Sequence, residues 1–176
     1  MKLFDSHCHL NDSVYVKDFD QMQKRMDEAQ VKALMIVGIT KENSASAVAL
    51  AESQPGFYAS VGIHPHDAKS CSEEALMFLK GLAQNPKVRA WGETGLDFNR
   101  MHSPREDQEK CFIRQLEIAD EIKLPLIFHE RDSQGRLLEI LKTFHSKDRK
   151  GVIHCFSGDR SEMEAYLDMG FYIGIT

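Results

Sequence analysis

Short apolar segments alternate along the chain with longer amphipathic segments. The apolar segments predict seven β-strands, at residues 2–7, 33–39, 57–63, 88–94, 125–130, 151–157 and 171–176. Apolar residues at three- and four-residue spacing predict six helices between them, near residues 17–30, 43–53, 73–84, 105–123, 134–145 and 160–169. Strands that are apolar throughout and alternate with helices are typical of a parallel sheet covered by helices.

Two architectures contain such a sheet, a closed barrel and an open doubly wound sheet. The open sheet usually carries a G-x-G-x-x-G turn after its first strand, and this sequence has none. A (β/α)₈ barrel takes roughly 250 residues, whereas this chain has 176. We therefore predict an α/β fold of the TIM (β/α)₈ type. Residues 1–176 are expected to form a single barrel domain that lacks the C-terminal strand and helices.

Composition places few limits on this fold but several on function. Hydrophobic residues make up 42% and charged residues 28% of the chain, as is usual for a soluble globular protein. The sequence shows neither an apolar run of about 18 residues nor a secretory signal, so we expect no contact with a membrane. Its four cysteines are scattered without a C-x-x-C pair, which favours reduced thiols and a cytoplasmic location.

The chain carries a net charge of −5 with histidine neutral. Tight nonspecific binding of duplex DNA requires a broad basic face, so the acidic balance argues against that function. It does not argue against an enzyme that handles the end of a nucleic acid through bound metal ions.

Unusual polar residues lie at the C-terminal ends of nearly all the predicted strands. In chain order they are His7 and His9, His64 and His66, Glu93, His129 with Arg131, and His154. The corresponding ends of the strands converge on one face of a parallel barrel, where the active site lies. Unrelated core histidines would not favour the same end of each strand, so this placement predicts a shared site.

His7 and His9 form an H-x-H pair on the first strand. Residues i and i+2 of a strand point to the same side, so both imidazoles can face the barrel interior while Cys8 faces the helices. Alone, the pair could be two unrelated histidines; with the other strand-end residues it indicates metal ligation. Cys8 and, by the same alternation, Cys155 are expected to be small buried apolar residues.

Glu93 lies in the segment WGETGLDF. Each of its carboxylate oxygens can bind one ion, so Glu93 could bridge two metals; the alternative is a carboxylate that caps a turn. Asp97 in the same segment could orient a ligand histidine from behind, and a purely structural role in the turn is an equal alternative.

His129 and His154 could supply imidazoles to a second ion. Mixed imidazole and carboxylate ligation suits zinc, manganese, nickel or iron, whereas magnesium prefers more oxygen ligands. Two ions about 3.5–4 Å apart would polarise a phosphoryl or acyl group and activate a water molecule. Arg131, His64 and His66 could bind substrate anions, although a salt bridge to a nearby aspartate is as good an account of Arg131.

Five motifs together resemble the TatD family of metal-dependent deoxyribonucleases, in order and at comparable spacing along the whole chain. They are DSHCHL, VGIHPHD, GETGLDFNR, IFHERD and IHCFSG. The resemblance implies a TIM-barrel metallohydrolase of the amidohydrolase type that cleaves phosphodiester bonds of DNA. The family often acts as a 3′→5′ exonuclease on single strands, and some members act on RNA.

The resemblance also assigns roles to individual residues. His7 and His9 would bind one divalent ion, Glu93 would bridge, and His129 and His154 would bind a second ion, with magnesium, manganese or zinc as the metal. Glu93, His64 and His154 would be the catalytic residues. The resemblance also makes His64 a substrate contact. The further substrate-binding residues, His66 and Arg131, and the supporting role of Asp97 are expected from their positions in the sequence and not from the resemblance.

The family carries a further metal-binding aspartate in an E-T-D-x-P-like segment of its eighth strand, and the motif is absent from residues 1–176. We therefore expect this chain by itself to be catalytically impaired, to self-associate through open barrel edges, or both. Two other functions stay open: an amidohydrolase acting on a small cyclic amide or ester, and a metal-binding fragment without catalysis.

Overall fold

Strands and helices alternate through the whole of the computed structural model, which describes residues 1–175. The strands are β1 Leu3–Cys8, β2 Val31–Ile36, β3 Phe57–Val61, β4 Val88–Asp97, β5 Leu126–Arg131, β6 Gly151–His154 and β7 Tyr172–Ile173. The α-helices are α1 Phe19–Glu28, α2 Lys41–Ser53, α3 Glu73–Leu82, α4 Arg105–Ile122, α5 Arg136–Thr143 and α6 Arg160–Asp168. Short 3₁₀ helices cover Ser13–Tyr15 and Pro65–Ser70.

The seven strands form one parallel sheet in chain order, from β1 to β7. A connection between neighbouring parallel strands requires a crossover, and each of the six helices supplies one. The predicted succession of seven strands and six helices is confirmed for residues 1–175. Thr176, the last residue of the predicted seventh strand, lies outside the described residues.

Apolar side chains pack on both faces of the sheet. The larger cluster lies between strands and helices and contains Trp91, Phe112 and Phe128, all fully buried. A smaller cluster on the opposite face contains Met35 and Ile127. The larger cluster ties the helices to the sheet and so fixes the loops at the strand ends.

Helix α3 begins where the sequence predicts, with Ser72 accepting a hydrogen bond from the amide of Ala75 at 3.1 Å. Such a cap satisfies one of the free N–H groups at a helix start. Helix α4 begins after Pro104 without a side-chain cap. The nearby Ser103 hydroxyl instead donates to the carbonyl of His66, at 2.8 Å.

Strand β6 is shorter than predicted and corrects one expectation. It ends at His154, and Cys155 has a positive φ of 49°, so the alternation of side-chain directions stops there. Cys155 is exposed and not a buried apolar residue. Cys8, the last residue of β1, does pack against the helix-side cluster, and its thiol donates to the carbonyl of Met35 at 3.3 Å.

The outer edges of the sheet expose apolar side chains. Within residues 1–175, neither β1 nor β7 has a second neighbouring strand. Leu3 and Phe4 on β1 and Tyr172 on β7 are exposed. None of the helices in this part of the chain is long and apolar enough to cross a bilayer.

Gly95 allows β4 and β5 to approach closely beside the strand ends. Its φ of +149° is open to glycine alone, and a Cβ atom built there would lie 2.0 Å from the carbonyl oxygen of His129. Gly81, in helix α3, offers a contrast because a Cβ atom there would meet nothing within 4 Å.

We expect Gly95→Ala to lower the free energy of unfolding by about 3 kcal/mol or more, since backbone strain and the clash with β5 add together. Gly81→Ala should raise it by up to about 1 kcal/mol, because alanine favours helix. Urea unfolding followed by circular dichroism measures both variants. Equal stability of Gly95→Ala and wild type would contradict the close approach.

Candidate metal centre

Glu93 lies at the centre of the strand-end residues. The register of β4 against β5 shifts between Trp91 and Thr94, so that Glu93 turns towards the interior. Its amide donates to the carbonyl of Gly38 at 2.8 Å, and its side chain is almost completely buried. The irregularity in β4 therefore delivers a carboxylate to the middle of the site.

Two imidazoles compensate the buried charge of Glu93. The Nδ1 atom of His129 lies 2.8 Å from Oε1, and the Nε2 atom of His7 lies 3.4 Å from Oε2. Burial by itself would raise the pKa of Glu93, but hydrogen bonds from His129 and His7 hold it well below its usual range. Glu93 is therefore ionised at neutral pH.

Each oxygen of Glu93 thus faces a different group of histidines. Glu93 forms one triad with His7 and His9, and another with His64 and His129. Within each triad the potential ligand atoms all lie within 4.8 Å of one another. A carboxylate shared by two groups of imidazoles is suited to bridge two cations.

His64 is held rigidly at the end of β3. Pro65 begins a 3₁₀ helix directly after it, and the Nδ1 atom of His64 caps that helix by accepting from the amide of His66 at 3.1 Å. The amide of His64 donates to the carbonyl of Ile39 at 2.8 Å. Burial lowers the pKa of His64 to about 3, so the imidazole is neutral and suited to bind a metal.

No placement of protons on His64 and His129 makes every short contact with each other and with Glu93 a hydrogen bond. Because His64 accepts at Nδ1, its single ring proton is assigned to Nε2, which lies 3.1 Å from Nδ1 of His129. If His129 accepts that proton, its 2.8 Å contact with ionised Glu93 contains no hydrogen. If His129 donates to Glu93, two N–H groups face each other. A cation between these three groups removes the conflict, so the residues fit a metal ion.

The first triad has a similar feature. The Nδ1 atom of His7 is buried without a hydrogen-bond partner among the described residues. Burial, together with the charge of His7, lowers the pKa of His9 and keeps its imidazole neutral. Convergent lone pairs and an unpartnered nitrogen are what a cation site requires.

Asp97 joins two histidines of the site at the end of β4. Its Oδ2 atom lies 2.7 Å from Nε2 of His66 and 3.3 Å from Nε2 of His129. Oδ1 accepts from the amides of Asn99 and Arg100, at 3.0 and 2.8 Å. Burial opposes ionisation, but the Arg100 amide and His66 bring the pKa of Asp97 down to about 2. Asp97 can therefore orient the ring of His129 through Nε2, the nitrogen that does not face Glu93.

His154 and Arg131 lie at the same end of the sheet. The ring of His154 stacks on that of His7, with centroids 3.5 Å apart and planes within 7°. His154 belongs to neither triad, although it pairs in register with His129 across β5 and β6. Burial lowers its pKa to about 4. Arg131 is exposed and, within residues 1–175, forms no ion pair.

Three features of the site were not predicted. The sequence predicted His64 as a catalytic and substrate-binding residue but not as a metal ligand, whereas the structure groups it with Glu93 and His129 as a potential ligand. It gave no role to His102, whose ring packs edge-on against His66 at 4.7 Å. It also missed Gln108 and Gln115, whose only signal is their position among the apolar residues of α4.

Comparison with known proteins identifies the family. Residues 4–176 match the family of TatD-related DNases. A relative from Pantoea vagans, named 3′-5′ ssDNA/RNA exonuclease TatD, is 41% identical over 175 residues. The alignment covers 99% of this chain and 67% of that protein.

The chain belongs to the TatD-related DNase family.

The solved structures of TatD proteins agree with the fold. The TatD homolog YJJV from Escherichia coli K12 superposes with a TM-score of 0.88 at 30% identity, covering 97% of this chain and 66% of that one. A TatD family hydrolase from Entamoeba histolytica gives a TM-score of 0.88 at 25% identity, with coverages of 99% and 65%. The predicted TIM-type α/β fold and TatD family are confirmed, and the chain spans about two thirds of these relatives' length.

The buried neutral histidines predict acid sensitivity of the metal-free TatD chain. The folded pKa of His64, about 3, lies below its ordinary value of 6.5, so between these values the unfolded chain binds a proton that the folded chain does not. Stability therefore falls as pH drops from 6.5 to about 5, by up to about 1.4 kcal/mol per pH unit for this one group. His154 contributes with the same sign; His129, whose pKa is raised, contributes stability that is lost as pH rises.

Urea unfolding in EDTA across this pH interval measures the slope. His64→Asn should reduce it relative to wild type. Identical slopes in the two proteins would show that His64 is not held neutral by burial.

Proposed function

We propose that this chain forms the metal-binding part of a hydrolase that cleaves phosphodiester bonds of single-stranded DNA from the 3′ end. The observation that carries the proposal is the sharing of Glu93 between two imidazole triads in a TatD-family fold. Curated relatives at 38–41% identity are named 3′-5′ ssDNA/RNA exonucleases, which supports a nucleic acid substrate. RNA is included as a second substrate on the same ground.

The proposed cofactor is a pair of divalent ions. His7, His9 and Glu93 would hold one, and His64, Glu93 and His129 the other; His154, stacked on His7, would complete either set. The abundance of imidazole favours manganese or zinc over magnesium. When bound, such ions polarise the phosphoryl group and activate a water molecule for in-line attack.

The remaining residues would orient the ligands and the substrate. Asp97 fixes the ring of His129 through Nε2, so that Nδ1 points to Glu93. Arg131 is exposed at the strand ends and can bind a phosphate with its fork of donors. His66, held by Asp97, lies at the rim and would contact the same strand of DNA.

The catalytic role of Glu93 can be tested by removing its charge while keeping its shape. We expect Glu93→Gln to lose the hydrolysis of 3′-end-labelled single-stranded DNA and at least about a hundredfold in Mn²⁺ affinity, because an amide cannot neutralise two cations. Gel analysis of the DNA and calorimetric titration of Mn²⁺ measure the two effects. Glu106→Gln, which changes an exposed carboxylate paired with Lys110 on α4, is the matched control.

Unchanged Mn²⁺ affinity in Glu93→Gln would contradict the proposal. So would a wild-type protein that leaves DNA intact in Mn²⁺ while hydrolysing a cyclic amide, the outcome expected of the alternative amidohydrolase function. Mn²⁺ binding without any hydrolysis would indicate a metal-binding fragment.

We also propose that residues 1–176 act as one domain and self-associate through the edges of the sheet. The exposed Leu3, Phe4 and Tyr172 support this, since unpaired edges with apolar side chains are prone to pair. Sedimentation velocity should show a concentration-dependent increase in mass, and Phe4→Lys should reduce it. A monomer at all concentrations would contradict self-association.

The cytoplasmic location stays a prediction.

A further inference from the structure

We infer that Gln108 and Gln115 on helix α4 are positioning residues of the metal centre, acting through the backbone on Asp97 and His64. The inference rests on the proposed function for its consequence in catalysis, but its structural content can be tested without activity. Both glutamines are fully buried. Seven residues make just under two helical turns, so both side chains lie on the face that packs on the sheet.

Gln115 uses all the hydrogen-bonding capacity of its amide. Its Oε1 accepts from the amide of Ile63 at 2.8 Å and from the indole Nε1 of Trp91 at 3.1 Å. Its Nε2 donates to the carbonyl of Ile63 at 2.9 Å and to the sulfur of Cys111 at 3.2 Å. Gln115 thus binds both backbone groups of the residue that precedes His64.

The place of these contacts explains why they matter. The pairing of β3 with β4 ends at Val61 and Trp91, just before the irregular segment of β4 that carries Glu93. Beyond this point the ladder leaves the backbone of Ile63 without a partner from β4. Gln115 replaces that partner and therefore fixes the chain on the approach to His64.

Gln108 binds the backbone of Asp97 in the same way. Its Oε1 accepts from the amide of Asp97 at 2.8 Å, and its Nε2 donates to the carbonyl of Asp97 at 3.0 Å. The same Nε2 donates to the carbonyl of Ser103 at 2.9 Å. The hydroxyl of Ser103 in turn donates to the carbonyl of His66 at 2.8 Å. Gln108 therefore supports both partners of the Asp97–His66 contact.

A purely structural role would be to satisfy buried polar groups in the helix–sheet interface, because an unpaired buried amide is costly. Such a role does not explain why both glutamines pair with the two backbone groups of one residue beside the site. Positioning does explain it. A ligand imidazole fixed by a rigid helix keeps its lone pair directed at the cation, and a displacement of about 1 Å can lower a rate a hundredfold.

The test compares Gln115→Leu with Leu116→Ala, which removes buried apolar contacts from the next residue of the same helix. The first readout is the set of imidazole ring ¹⁵N signals in the metal-free protein labelled at histidine, assigned with His64→Asn. We expect Gln115→Leu to shift the His64 signals and leave those of His154 in place. Leu116→Ala should leave both in place while lowering the thermal midpoint by a similar amount. Gln108→Leu should shift the signals of His66.

The second readout is the hydrolysis of single-stranded DNA with Mn²⁺. We expect Gln115→Leu to lower kcat about tenfold to a hundredfold with KM changed less than about twofold. In the His64→Asn background the same substitution should change kcat less than about twofold, since its effect passes through His64. Should Gln115→Leu not fold, Gln115→Glu replaces it, because the carboxylate keeps both acceptor bonds and loses the donors.

Unshifted His64 signals in a folded Gln115 variant would overturn the inference, whether or not the protein hydrolyses DNA. If Gln115→Leu lowered kcat by the same factor with and without His64→Asn, the inference would be overturned as well. A wild type that binds Mn²⁺ without hydrolysing DNA would indicate a metal-binding fragment, and the ring signals would still decide the positioning role.

Discussion

Burying the charge of Glu93 is the constraint on which the rest of the site depends. A carboxylate taken out of water must be compensated by charge or by hydrogen bonds. Here the compensation comes from imidazoles on two sides, one at each oxygen. That arrangement brings β1, β3 and β5 to the same carboxylate, and it leaves the imidazoles closer together than their protons allow. The same geometry is what two bridged cations would require.

The site depends both on the regular alignment of the parallel strands and on one interruption of that pairing, in β4. Parallel strands align their C-terminal ends, which gathers the histidines on one side. Strand β4 then departs from regular pairing between Trp91 and Thr94, and this departure turns Glu93 inward. Next to this interruption the side chain of Gln115 takes over the backbone hydrogen bonds of Ile63. Helix α4 is thereby joined to the site and not only to the core.

Sequence reasoning predicted what depends on periodicity and failed where periodicity stops. The succession of elements and the inward direction of His7 relative to Cys8 follow from the two-residue repeat of a strand. The prediction that Cys155 is buried was wrong because β6 ends at His154, three residues before the predicted end, and Cys155 takes a positive φ. The convergence of His64 and His129 on one site was predicted, but the cap that His64 forms on the following 3₁₀ helix has no signal in this repeat. The hydrogen bonds from Gln108 and Gln115 on α4 to the strand ends could not be predicted either, because they join positions far apart in the sequence and no local pattern indicates them.

The most direct test of the shared carboxylate is anomalous diffraction from a crystal of the protein grown with Mn²⁺. The account predicts two anomalous peaks, one within coordination distance of Glu93 Oε2 and the His7–His9 pair, the other near Glu93 Oε1, His64 and His129. A single peak, or two peaks that do not both contact Glu93, would contradict the claim that this carboxylate joins two metal sites.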